Sequence, residues 1–260
     1  SSSAASDVYK RQYNHIEKKQ EWLAASKSCI DFIETHCTDI DGHLFFEVTE
    51  EGIPLRKRRY VFSECFAAIA MSEYAIASGD KSYATKALEI FKRTLKFLST
   101  PGFLEPKYLP TLQSRGHSIT MILINTASRI REVIEDPVLD RQINESLTSI
   151  RQYFMHPEFK ALLEMVGPKG ELIDTCNGRT INPGHCIETS WFIMEEARHR
   201  NWDKDLVQLA LQILDWSWEW GWDKEYGGII NFRDCKNFPP QDYSQDMKFW
   251  WPQTEAIIAT

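Results

Sequence analysis

The stretch INPGHCIETSW, residues 181–191, holds the residues best suited to moving a proton. His185 and Glu188 fall three apart, so on a helix they share one face. Pro183 and Gly184 interrupt the chain just before, and Asn182 or Gly184 can cap a helix starting there. His185 then stands in a first turn, near unpaired backbone N–H groups and the positive end of the dipole. A carboxylate at Glu188 can orient the imidazole and raise its basicity, and histidine titrates near neutral pH. The same placement also serves a plain helix-start histidine beside a surface carboxylate. Cys186 adjoins His185, so a catalytic thiol has to be weighed. Neighbours on a helix point about 100° apart, which argues against direct pairing.

Two further clusters carry side chains of the right type. His117 follows Gly116 at the start of HSITMILINTASRI, a second histidine at a helix entrance. A polar helix-start role explains it equally well. In QDMKFWWPQTEA, Asp246, Lys248, Trp250, Trp251, Gln253 and Glu255 fall within ten residues. Indole rings stack on the apolar faces of sugars while charged and amide groups bind hydroxyls. Tryptophans packed at a helix start are the alternative. His15, His36, His43, His156 and His199 have no metal-ligand spacing, so no metal is expected. The chain has no P-loop, dinucleotide fingerprint or nucleophile elbow.

The elements that must hold these residues are helices. Apolar positions recur at spacings of three and four along Ile16–Cys37, Phe62–Ile76, Ala84–Leu98, Ile119–Val133 and Leu139–Phe154. Segments after His185, Asp205 and Asp246 add three more. HLFFEVTEEGIPLRKRRYVF reads as a β-hairpin turning at EEG, and DKEYGGIINFRDCKNFPP has a similar turn–strand–turn form. Helix pairs repeated with such inserts curve into an open solenoid or a closed toroid, and the pattern alone does not choose.

Composition sets the frame. The 260 residues are 43% hydrophobic and 26% charged, enough for a sizeable core. A net charge of −7 without a long basic run argues against nucleic acid. No run of 18 apolar residues marks a membrane span. The six cysteines form no C-x-x-C pair, which fits free thiols in a reducing cytoplasm. Residues 1–12 include DVYKRQ, which looks like a translated transposase adapter, and are expected to be a non-native artefact. The domain is then expected over 13–260. With no initiator Met at the start and no stop signal in WWPQTEAIIAT, both ends read as truncations.

Three stretches together resemble the N-acylglucosamine 2-epimerase family, which includes the renin-binding protein. They are RYVFSECFAAIAMSEYA, NPGHCIETSWF with GWDKEYGGIINF, and DMKFWWPQTEAIIA. The resemblance implies an all-α chain, an incomplete (α/α)6 barrel or toroid with short β-hairpin inserts. It implies interconversion of N-acetylglucosamine and N-acetylmannosamine by proton removal and return at C2. His185 matches one catalytic histidine and Glu188 its partner carboxylate. Trp251 and Glu255 match positions around the sugar, with Lys248 and Gln253 beside them. His117 falls where mannose-isomerase and cellobiose-epimerase members carry a histidine. No cofactor is required in the family, some members are stimulated by ATP, and many are dimers. A second catalytic histidine and a site arginine are expected outside this chain, so residues 13–260 alone are expected to be inactive. An aldose–ketose isomerase, a 2-epimerase of mannose or a disaccharide, and a non-catalytic binding toroid are the alternatives.

Overall fold

The computed structural model describes residues 15–57, 60–104 and 111–260. The expectation for residues 1–12 lies outside them. Eight α-helices among these residues carry the architecture, joined by two-stranded pairs only two or three residues long. Among the described residues no helix is long and apolar enough to cross a membrane. The chain divides into two compact units: 1–110 with 125–143, and 111–124 with 144–260.

The first unit contains α1 (Gln20–His36), β1 (Glu47–Val48), β2 (Pro54–Arg56), α2 (Phe62–Ser78) and α3 (Ser82–Ser99). The central helix α2 is buried along most of its length. Ala67, Ala68 and Ala70 let α1 and α3 approach its backbone closely. The anticipated face of α3 is buried at Ala84, Leu88 and Phe91. Three residues assigned to apolar faces point outward instead: Ile16, Ile76 and Leu98 are exposed. Each lies at or beyond the end of its helix. The hairpin forms as expected: Glu47 faces Arg56, and Gly52 makes the turn with φ +83°.

Two helices pass from one unit's residues to the other's: α4 (His117–Arg131) and α5 (Pro137–Ser149). The Asp136 side chain accepts from the N–H of Val138 at the start of α5. The chain then widens into one π-turn over Ile150–Phe154. Leu139, Ile143, Leu147, Ile150 and Phe154 are all buried, as their spacing predicts.

The second unit adds β3 (Arg115–Gly116), β4 (Met155–His156), β5 (Ala161–Leu162), β6 (Met165–Val166) and β7 (Thr180–Ile181). These are followed by α6 (Pro183–His199), α7 (Lys204–Gly221), β8 (Arg233–Asp234) and α8 (Trp250–Ala259). Both α7 and α8 pack on α6. Ile187 of α6, Ala256 of α8 and Ile229 form a buried knot, against which Leu214 and Trp218 of α7 rest. The segment read as a second strand insert does not close a hairpin like the first. Ile229 bridges back to Trp222, and β8 pairs with the distant β7. Its pairing partner lies upstream of α6, which local spacing cannot reveal. Among the tryptophans of WSWEWGW, Trp218 stacks on Trp222, and Trp220 donates to backbone carbonyls of Phe159 and Lys160.

Candidate active site

Two short strands deliver two histidines to one place, and Glu164 stands between them. β3 pairs with β6, setting Arg115 opposite Val166, and runs straight into α4 at His117. β7 leads through Asn182 into α6. The backbone of Glu164 ties both routes together. Its carbonyl accepts from the His117 N–H at 3.0 Å, and its own N–H donates to the Thr180 carbonyl at 3.2 Å.

Asn182 is the N-cap of α6: its side-chain oxygen accepts from the His185 N–H at 3.2 Å. Pro183 occupies the first helical position, where its missing N–H costs nothing. His185 therefore sits in the first turn, with its side chain 27% exposed. Its Nδ1 lies 3.0 Å from Glu164 Oε1. The orienting carboxylate is thus Glu164, twenty-one residues upstream, in the place expected of Glu188. His117 is fully buried, with Nε2 3.0 Å from the Thr189 hydroxyl and Nδ1 3.5 Å from the same Glu164 oxygen. Burial works to raise the Glu164 carboxyl. The charge of His185, followed by His117, outweighs it and holds that carboxyl well below the usual carboxylate range.

Glu188, one turn on from His185, has the opposite balance. Burial pushes its carboxyl up to about 8, Glu255 adds to the rise and His185 opposes it. A group so placed is a carboxylic acid over much of the neutral range and can donate as well as accept. Cys186 faces away: its buried thiol donates to the Leu162 carbonyl at 3.4 Å, and burial raises it well above its ordinary value. It stays protonated and is no nucleophile.

The start of α8 closes the site from one side. The Trp251 indole lies 5.2 Å from the His185 ring, tilted by 44°. Gly184 permits this, because a Cβ there would come within 2.4 Å of the indole. Glu255, one turn along, accepts from Trp191 Nε1 at 2.6 Å. Trp191 lies three residues beyond Glu188 on α6, so the Glu188 and Glu255 carboxyls face a common space. Lys248 and Gln253, expected among the sugar-binding groups, are committed elsewhere. Lys248 pairs with Asp223 at 2.6 Å. The Gln253 amide both accepts from the Ile229 N–H and donates to the Ile229 carbonyl, at 2.8 and 2.7 Å. Gln253 latches the 223–229 turn onto α8, and Lys248 ties it to the segment just before that helix. Among the described residues no group of three His, Cys, Asp or Glu side chains can hold a metal ion.

Sequence reasoning missed Glu164 and Thr189. Glu164 left one trace: it is the lone charge inside the apolar run ALLEMV, and a carboxylate there needs a partner. Thr189 left none.

Residues 8–260 match the N-acylglucosamine 2-epimerase (GlcNAc 2-epimerase) family. The chain belongs to this family. It is 28% identical to the N-acylglucosamine 2-epimerase of Rattus norvegicus over 260 residues, covering 97% of this chain and 62% of the rat protein. The chain therefore spans about 62% of that relative's length. A solved structure of the cellobiose 2-epimerase of Bacillus thermoamylovorans superimposes with a TM-score of 0.84 at 17% identity, over 99% of this chain and 68% of that one. A D-mannose isomerase structure gives a TM-score of 0.79 at 14% identity, over 100% of this chain and 68% of its own. Helix pairs with short strand inserts are thus the (α/α)6 toroid fold of 2-epimerases.

Proposed function

We propose that the protein carrying this chain interconverts N-acetylglucosamine and N-acetylmannosamine at C2. The observation that carries this is His185: partly exposed, fixed by a cap and a carboxylate, with an indole face beside it. The C2 proton of a closed sugar is not acidic. Ring opening exposes a C1 aldehyde and makes C2 an α-carbon, so a base of modest strength can remove its proton. With Nδ1 engaged by Glu164, Nε2 of His185 is the nitrogen that takes that proton and leaves an enolate across C1 and C2. A second acid on the opposite face returns a proton and inverts C2. That second group is expected outside this chain. Trp251 supplies the stacking surface, while Glu188 and Glu255 face the sugar hydroxyls and carbonyl oxygen.

This chemistry calls for no metal and no redox cofactor, because the carbonyl itself acidifies C2. ATP as an activator, a homodimer and a cytoplasmic location are part of the proposal. So is the inactivity of residues 13–260 alone. A second reading, 2-epimerisation or aldose–ketose isomerisation of an unacetylated sugar, draws on His117. The test is incubation of the whole protein with N-acetylmannosamine, mannose and cellobiose, with products read by NMR. N-acetylglucosamine as the main product supports the first reading. Fructose from mannose, or the C2 epimer of cellobiose, moves the assignment to the second. No turnover of any sugar overturns both and favours a binding protein.

A further inference from the structure

His185 Nδ1 has two claimants, and they demand opposite tautomers. Glu164 Oε1 lies at 3.0 Å and, as an ionised carboxylate, can only accept, which needs a proton on Nδ1. Asn182 Nδ2 lies at 3.1 Å and can only donate, which needs Nδ1 bare and the proton on Nε2. The amide cannot be turned to remove the conflict, because Asn182 Oδ1 caps the His185 N–H. A hydrogen bond to an ionised carboxylate is roughly twice as strong as one between neutral groups. Glu164 therefore takes precedence.

Hydrogen bonding fixes the second histidine too. Thr189 Oγ1 donates its one proton to the His185 carbonyl at 2.8 Å, as hydroxyls do on helices. Towards His117 Nε2, at 3.0 Å, that oxygen can then only accept, so His117 carries a proton on Nε2. Its Nδ1 points at Glu164 Oε1, and its ring is edge-on to Phe154 with no exposed surface. A ring so enclosed cannot reach a sugar without unpacking.

We propose that Glu164 is the positioning residue for His185, fixing its proton on Nδ1 and leaving Nε2 to exchange, and that His117 acts through Glu164 rather than on the sugar. This goes beyond the epimerase reading but rests on it for the kinetic consequences. The tautomer itself does not depend on that reading.

The deciding experiment is long-range ¹H–¹⁵N NMR of the histidine rings in the whole wild-type protein. The expected pattern is a protonated Nδ1 on His185 and a protonated Nε2 on His117. A His185 ring protonated on Nε2 overturns the proposal, whatever the protein does to sugars. In Glu164→Gln the His185 pattern should shift toward Nε2–H. There kcat should fall about 10–100-fold with KM nearly unchanged, by analogy with outer-shell ligands to histidine. The acid limb of the kcat profile should also move to lower pH, since the nearby negative charge is gone. Glu164→Asp should recover part of both. An unchanged tautomer and acid limb in Glu164→Gln contradict the proposal. His117→Asn should cost less than His185→Asn; an equal loss means His117 touches the sugar. The predicted tautomer with no turnover of any sugar would sink the epimerase reading and leave the positioning role standing.

Discussion

His43 with Glu64 and His185 with Glu164 are histidine–carboxylate pairs beside helix starts in different units, and their surroundings differ. In the first unit His43 Nδ1 pairs with Glu64, which lies in the first turn of α2. Glu64 also accepts from the Leu44 N–H at 2.6 Å, and Phe97 and Phe103 present their rings to the imidazole. Both partners are sealed: His43 is 3% exposed and Glu64 0%. In the second unit His185 keeps 27% of its side chain exposed, has an indole for a neighbour, and lies one helical turn before Glu188. A carboxylate behind a histidine therefore fixes orientation in either setting. Access and a surface for an apolar ring separate the clasp from the reactive group.

The contrast breaks most directly under paired substitution. His185→Asn keeps the shape but cannot carry a proton, so turnover of N-acetylmannosamine by the whole protein should fall on the order of 10³-fold, with melting nearly unchanged. His43→Gln should do the reverse. Turnover per folded molecule should stay at the wild-type level while stability drops by about 1–3 kcal/mol in urea titration, because Glu64 loses a buried partner. Equal effects on both properties in both variants would erase the distinction.

Smaller effects sharpen it. Gly184→Ala places a methyl 2.4 Å from the Trp251 indole, and the ring must move. Overpacking of this kind costs roughly 1–3 kcal/mol, so kcat/KM should fall about tenfold, mostly through KM. Next comes the Glu188 carboxyl, raised to about 8 in the folded protein from an ordinary value near 4.5. Between those values the folded state holds a proton that the unfolded state has released. Stability from this group is present below pH 4.5, declines as pH rises to 8 and is then level. Glu188→Gln removes the decline, so its melting temperature relative to wild type should rise from pH 5 to pH 8. A constant difference across that range would mean Glu188 is not buried beside Glu255. The mildest change is Lys248→Ala. If the lysine latches Asp223, KM should change less than about fivefold, as for other partly exposed ion pairs. A larger rise in KM would return Lys248 to the sugar.

Much of this was legible in the sequence because its periods are local. Spacings of three and four located the helices, and NPGH placed His185 in a first turn with the cap open between Asn182 and Gly184. What stayed hidden depends on pairing at a distance. Glu164 reaches His117 and His185 only because β3 pairs with β6 and the Glu164 N–H binds Thr180. No spacing in the sequence encodes either link. Lys248 and Gln253 have side chains suited to sugar hydroxyls, yet fold onto a turn twenty-odd residues upstream. Residue type proposed their chemistry, but the glycine turn at Gly227 and Gly228, both at positive φ, decided their contacts.

The central claim is that Nε2 of His185 exchanges the C2 proton of an opened sugar. It is tested most directly by incubating the whole protein with N-acetylmannosamine in D₂O and reading deuterium at C2 by NMR. Uptake at C2 in the wild type, appearing in both epimers and lost in His185→Asn, is the predicted result. Uptake in His185→Asn at the wild-type rate would contradict it and leave His185 as a helix-start residue.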